Sequence, residues 1–118
     1  MRNYTDIFTG ISATGWVATP FKVGGASTDR AAQLKSLHAL AEGAGAAFDG
    51  DLWISTHSNA GGTAPKGLVK LLPALTASVT TEFPTEAAQL YLFDAAFIWI
   101  HLYVRSITGV LTVRGVIE

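Results

Sequence analysis

The carboxyl-terminal quarter of the chain contains two runs of β-branched and aromatic residues separated by a short polar turn. The first run covers residues 97–105, the turn covers 106–109 and the second run covers 110–117. β-branched and aromatic side chains favour extended strands. Two such runs joined by Ser, Thr and Gly are typical of a β-hairpin. The sequence therefore predicts that the chain ends in a hairpin.

Strand signals recur along the rest of the chain. Residues 75–83 alternate between apolar and polar positions, as in a strand with one wet face. Turn-forming residues fill the loop at 58–67. Further strands are predicted at residues 14–23 (with Pro20 at an edge or bulge), 51–58, 68–72 and 89–93, the last ending at a corner or bulge at Asp94 and Ala95.

About seven short strands with turn signals every eight to twelve residues predict an all-β fold. The architecture expected is an antiparallel β-sandwich or a jelly-roll-like small barrel. The length of 118 residues suits one domain, so residues 1–118 are predicted to form a single β domain.

Residues 27–43 allow two interpretations. Ser27 or Thr28 would cap a helix that ends at Gly43, so one short helix near residues 29–42 is one expectation. Against it, Leu37, Ala39 and Ala41 sit at alternate positions, as in a strand. On the residues alone, both interpretations stay open.

Residues 97–104 are apolar on both faces of the predicted strand. One row would fill the core, and the other row would meet another sheet, subunit or protein. The alternative is a central strand that loops of the same chain cover. The candidate interface residues are Phe97, Trp99, His101 and Tyr103.

The composition adds weight to an interface. Charged residues make up 14% of the chain, against about 25% in an ordinary soluble domain, so subunit contacts are expected to cover part of the surface. The formal net charge is −1 and the basic residues are scattered, which argues against nucleic acid as a partner.

A membrane partner is not expected either. Residues 87–104 are strongly apolar, but Asp94 and His101 interrupt them, and a spanning helix needs about 20 uncharged residues. Residues 1–6 lack the apolar run of a secretory signal. The chain is therefore expected to be made in the cytoplasm and kept or assembled there.

Candidate catalytic and metal-binding residues are few. The chain has no cysteine, and His38, His57 and His101 show no metal-ligand spacing. Asp49, Asp51 and His57 would form a hydrolytic site only if they met in one cleft, and turn-forming aspartates beside a surface histidine are the favoured interpretation. No catalytic residue, cofactor or metal site is therefore predicted.

The three tryptophans raise the possibility of sugar binding. Trp16, Trp53 and Trp99 are spread along the chain, and an exposed indole ring stacks well on a sugar ring. In a small β domain, core or interface packing is the favoured role for tryptophan. A carbohydrate-binding β-sandwich module that binds a surface glycan is kept as the alternative function.

Two segments carry a family resemblance. Residues 50–62 resemble a strand followed by a glycine-rich hairpin, although Asn59 and Ala60 stand where the pattern has Asp-Gly. The ending with Tyr103-Val104-Arg105, Thr108-Gly109 and Thr112-Val113-Arg114 is the second segment. Both are similar to small β-sandwich structural proteins of tailed bacteriophages, of the head-decoration or neck and tail accessory type. The resemblance covers roughly residues 50–117.

The resemblance implies a virion structural protein without enzymatic activity or cofactor. Such a protein is made in the host cytoplasm and becomes part of the virion, where it contacts copies of itself and other virion proteins. The resemblance assigns no individual functional residue.

Overall fold

The computed structural model describes residues 5–23, 32–43, 47–55, 67–72, 74–77, 85–97 and 99–118. Within these ranges the chain forms ten strands and no helix. The strands are β1 Thr5–Ile11, β2 Gly15–Trp16, β3 Phe21–Lys22, β4 Ala32–Gly43, β5 Ala47–Ser55, β6 Leu68–Lys70, β7 Leu75–Ala77, β8 Thr85–Phe97, β9 Trp99–Thr108 and β10 Leu111–Ile117.

The strands form two antiparallel sheets that pack as a sandwich. Sheet A has the order β1-β10-β4-β8. Sheet B has the order β2-β9-β5-β6, and β3 and β7 also pair with β9 and β5. Every pairing is antiparallel. The predicted all-β sandwich is confirmed.

Of the two interpretations of residues 27–43, the strand is confirmed and the short helix near residues 29–42 is wrong. β4 occupies Ala32–Gly43 as a central strand of sheet A. Its neighbours β10 and β8 pair with it on both sides. Leu37, Ala39 and Ala41 are all fully buried. A period of two puts these three side chains on the inner face together, so burial selects the strand over the capped helix.

The core lies between the inner faces of the two sheets. Sheet A contributes residues of β1, β4, β8 and β10, and sheet B contributes residues of β5, β7 and β9. Its largest fully buried apolar side chains include Leu37, Leu52, Leu75, Tyr91, Phe97, Ile100, Leu102 and Leu111.

The predicted terminal hairpin is wrong, although both of its strands exist. β9 pairs with β5, β2 and β3 in sheet B, whereas β10 pairs with β1 and β4 in sheet A. The chain therefore crosses from one sheet to the other after Thr108, at Gly109, where φ is 82°. Each strand has a long ladder with a partner distant in sequence, which a pattern of side chains along one segment does not specify.

Other boundaries differ from the sequence predictions in smaller ways. The predicted strand at 14–23 is split into β2 and β3, on either side of Pro20, which cannot donate to a ladder. β8 is continuous over 13 residues. Its register against β4 shifts between the pairs Leu34–Ala95 and Ser36–Leu92, which places a bulge next to the predicted corner at Asp94. β1 was not predicted.

Part of the predicted loop and strands lies outside the described residues, namely 56–66 and 78–84. Within the described ranges, no helix is long and apolar enough to cross a membrane.

Candidate functional site

The outer face of sheet B collects aromatic side chains. Trp53 of β5 lies between Leu52 and Ile54, which point into the core, so Trp53 points outward. Its direct partner on β9 is His101, and Tyr103 pairs with Trp16 of β2. We call Trp16, Trp53, Trp99, His101 and Tyr103 the aromatic face.

Trp16 is the hub of the aromatic face. Its ring centroid lies 5.0 Å from Tyr103, 5.9 Å from Trp53 and 6.3 Å from His101, with tilted or edge-on geometry. These separations are those of favourable aromatic pairs. Tyr103 remains 37% exposed and the three tryptophans are partly exposed, so the aromatic face is packed together but still open to a partner.

Lysine side chains cover part of two indole rings. Lys22 Nζ lies 5.4 Å from the ring centroid of Trp99, and Lys70 Nζ lies 5.7 Å from that of Trp53. Both distances allow a cation–π attraction. A ligand that stacked on either ring at these positions would have to displace the ammonium group.

The aromatic face ends in a cluster of charges around Arg105. The β5–β9 register shifts by one residue between Asp49–Ser106 and Gly50–Val104, so Arg105 is the extra residue of a bulge on β9. A bulge re-aims the side chain it carries. Arg105 thereby faces both Asp49 and Asp51, which the sequence spacing places on the same side of β5.

The contacts of Arg105 are directional. Its Nε donates to Asp49 Oδ2 at 3.0 Å and its Nη2 donates to Asp49 Oδ1 at 2.6 Å, a two-point pairing of guanidinium with carboxylate. Its Nη1 donates to Asp51 Oδ2. Lys70 Nζ lies 3.4 Å from the same oxygen of Asp51.

These pairings limit the acid–base chemistry of the two carboxylates. The hydrogen bonds from Arg105 hold the pKa of Asp49 below its usual range. A carboxylate with a lowered pKa and a bound guanidinium is poorly suited to donate or accept a proton near neutral pH. His57, the third member of the hydrolytic alternative, lies outside the described residues. The described residues include no group of three or more potential ligands placed to hold a metal ion.

His101 is the least solvated titratable group on the aromatic face. It is 1% exposed, and neither of its ring nitrogens has a hydrogen-bond partner among the described residues. The ring of Trp16 stands nearly perpendicular to it, with the two centroids 6.3 Å apart. Burial lowers the pKa of His101, because the charged ring loses its hydration.

We expect this buried imidazole to make stability depend on pH. Between the unfolded pKa of 6.5 and the lower folded value, the unfolded chain binds a proton that the folded chain does not. The free energy of unfolding therefore falls as the pH drops below 6.5, by up to about 1.4 kcal/mol per pH unit. Urea denaturation at pH 8, 7, 6 and 5 measures it.

Two variants isolate the contribution of His101 to that slope. His101→Phe keeps an aromatic ring under Trp16 and should flatten the slope over this window, whereas His38→Gln, at an exposed position, should keep it. If the free energy of unfolding falls equally with pH in the wild type and in His101→Phe, the assignment of the slope to His101 is contradicted.

The outer face of sheet A is aliphatic at one edge. Leu90 and Leu92 of β8 are 57% and 75% exposed, and we call them the leucine edge. His38 of β4 pairs with Leu90 on one side and with Val116 of β10 on the other. A groove of about 390 Å³ runs across these positions, lined by Ser36, His38, Leu90, Val116 and Glu118.

The structure separates one predicted interface residue from the other three. Phe97 ends β8 and is fully buried in the core, whereas Trp99 begins β9 in the other sheet. The row therefore consists of Trp99, which is partly exposed, His101, which is buried, and Tyr103, which is exposed. The prediction that Phe97 belongs to this row is wrong, because Phe97 lies in the core.

The sequence predictions missed the leucine edge. Its signal is the one used for residues 97–104: residues 89–93 have apolar side chains at both odd and even positions. Tyr91 is buried, while Leu90 and Leu92 on either side of it are exposed. A strand that is apolar on both faces indicates an exposed apolar row wherever only one face reaches the core.

Comparison with family models, with curated proteins and with solved structures gave no match. The exposed side chains on two outer faces of the sandwich make these faces the candidate functional surfaces. The aromatic face combines aromatic rings with ion pairs. The leucine edge is aliphatic and lies on an outermost strand of sheet A.

Proposed function

We propose that the protein is a non-enzymatic structural protein of a tailed-phage virion. It packs through apolar β-sheet surface against copies of itself and against other virion proteins, as a head-decoration or neck and tail accessory protein. The observation that carries the proposal is the exposure of Leu90 and Leu92 on the long edge strand β8.

Exposed leucines on an edge strand favour association. Burying one leucine fully contributes about 1.5–3 kcal/mol, which is lost while the side chain faces water. Natural proteins usually protect edge strands with charges, proline or short length. β8 is 13 residues long, and between Glu86 and Asp94 it presents two exposed leucines, which suits a strand that is covered in an assembly.

The charge balance permits copies of the chain to approach one another. Only 14% of residues are charged and the formal net charge is −1. A net charge near zero provides little long-range repulsion between identical chains. A protein built to remain a monomer would gain from a larger net charge.

The assignment to a virion rests on the family resemblance over residues 50–117. Part of that segment forms β5, β9 and β10. We propose the aromatic face, through Trp99 and Tyr103, as the contact with other virion proteins, with the buried His101 supporting these rings from within the sheet. Synthesis in the host cytoplasm followed by assembly into the particle is part of the same proposal.

A carbohydrate-binding module is the second candidate. The observation in its favour is that Tyr103, which packs against Trp16, pairs across the strands with Asp51, the carboxylate to which Arg105 donates. Aromatic rings beside hydrogen-bonding groups suit a sugar. It ranks second because Lys22 and Lys70 already lie over two of the indole rings.

Electron microscopy of the purified chain in negative stain, together with a glycan-array screen, tests the proposal. Rings, tubes or other regular assemblies without glycan binding are the expected result. Specific glycan binding by dispersed single particles would overturn it in favour of the second candidate.

A further inference from the structure

We infer that the partner at the leucine edge is a second copy of this chain, joined by antiparallel pairing of β8 with β8 of that copy. The two four-stranded sheets A then become one continuous sheet of eight strands. This inference rests on the proposed function and deepens it by naming the partner and the strand.

On the side of β8 that faces away from β4, the partner expected is another strand. β8 is the last strand of sheet A, and among the described residues it pairs with β4 alone. Within the described ranges no strand pairs with its other side, where the backbone N–H and C=O groups of an added strand would find partners. Adding a strand at a sheet edge is an established mode of association.

The leucines make this edge complementary to itself. Residues 85–92 pair with β4 in one unbroken register, and the register shifts after Leu92. An antiparallel pair centred on Leu90 stays inside this regular stretch. It places Leu90 beside the same residue of the second copy, with cross-strand spacings of about 4.5–5.5 Å. The two copies of Leu92 lie diagonally to that pair, so four leucines form one apolar row.

The charges on this face leave the centre of the pairing neutral. Across sheet A from Leu90 stand His38 and Val116. The ion-paired Arg114 contacts Asp6 and Glu42 at register positions nearer the other end of β4. The register centred on Leu90 places Glu86 opposite Asp94 of the second copy. Like charges at opposed positions disfavour pairing, so the tight pairing is limited to residues 88–92.

The expected contact is reversible. Four leucine side chains bury on the order of 300 Å² of apolar surface, whereas a stable interface buries about 1,200–2,000 Å² in total. The backbone ladder adds to this, but a dimer that forms only as concentration rises is expected. Many such weak contacts acting together hold an assembly firmly.

Cysteine crosslinking tests the register, because the chain contains no cysteine of its own. Leu90→Cys places one thiol at the two-fold axis of the proposed pair. With copper–phenanthroline as oxidant, it should give a disulfide-linked dimer. The control is Leu72→Cys, since Leu72 is exposed to 72% but lies outside the ten strands. Equal crosslinking of both variants, or none at Leu90→Cys, would overturn the inference.

Sedimentation equilibrium of lysine variants separates this inference from the proposed function. Leu92→Lys should raise the dissociation constant by at least about tenfold, and Leu72→Lys, of closely matched exposure, should leave it unchanged. An assembling wild type that is insensitive to Leu92→Lys would refute the β8 pairing while the structural role stands. A wild type that is monomeric at every concentration would refute both.

Discussion

Replacing Gly115 with alanine is expected to lower the free energy of unfolding by more than about 3 kcal/mol, or to prevent folding. Gly115 lies in β10 between β1 and β4 and pairs with Thr5 and Ala39. A Cβ atom at this position would overlap the carbonyl oxygen of His38 and lie 3.1 Å from the carbonyl carbon. These are backbone atoms of a central strand, so no side-chain movement relieves the overlap.

Gly10→Ala is the matched control for this prediction. Gly10 has φ of 63°, and a Cβ atom added to it would have no neighbour within 4 Å. The cost of its substitution is therefore only that of holding alanine in a left-handed backbone conformation. That cost amounts to about 1–2 kcal/mol. Urea denaturation of both variants compares the two effects. Equal destabilisation would show that the contact with His38 does not restrict Gly115.

The second large effect is expected for Arg105→Ala, which should lower the free energy of unfolding by about 3 kcal/mol. Asp51 is 3% exposed, and its Oδ1 has no hydrogen-bond partner among the described residues. Loss of the guanidinium leaves the other oxygen with Lys70 at 3.4 Å. The contact with the partly exposed Asp49 contributes little, since exposed ion pairs are weak.

Two further variants identify the cause of that loss. Asp51→Asn in the Arg105→Ala background should recover part of the lost stability, because the buried charge is removed. Arg114→Ala is the control: Arg114 and Arg105 side chains are 35% and 36% exposed, but Arg114 pairs with the more accessible Asp6 and Glu42. It should cost at most about 1 kcal/mol. Similar losses for both arginines would contradict the role of buried Asp51.

The strands were predictable where one face is buried and alternation is clean. Leu37, Ala39 and Ala41 carry that signal in β4 and outweigh the capping residues that favoured a helix. Which strands pair with one another was harder to predict from the sequence. β9 and β10 are adjacent in sequence yet pair in different sheets, because each ladder is decided by partners from distant segments.

The surfaces depend on the same distant pairings. The sequence placed Trp99, His101 and Tyr103 in one row, and the structure retains that row on β9. The ion pairs at its end require the bulge at Arg105, which exists only against the register of β5. The leucine edge required knowledge that β8 lies at the end of its sheet, which no local pattern provides.

Light scattering over a concentration series measures whether the chain associates, as its apolar sheet surface leads us to expect. The protomer has a mass of 12.4 kDa. We expect a weight-average mass that rises with concentration towards multiples of this value. A constant mass of one protomer at every concentration would contradict it.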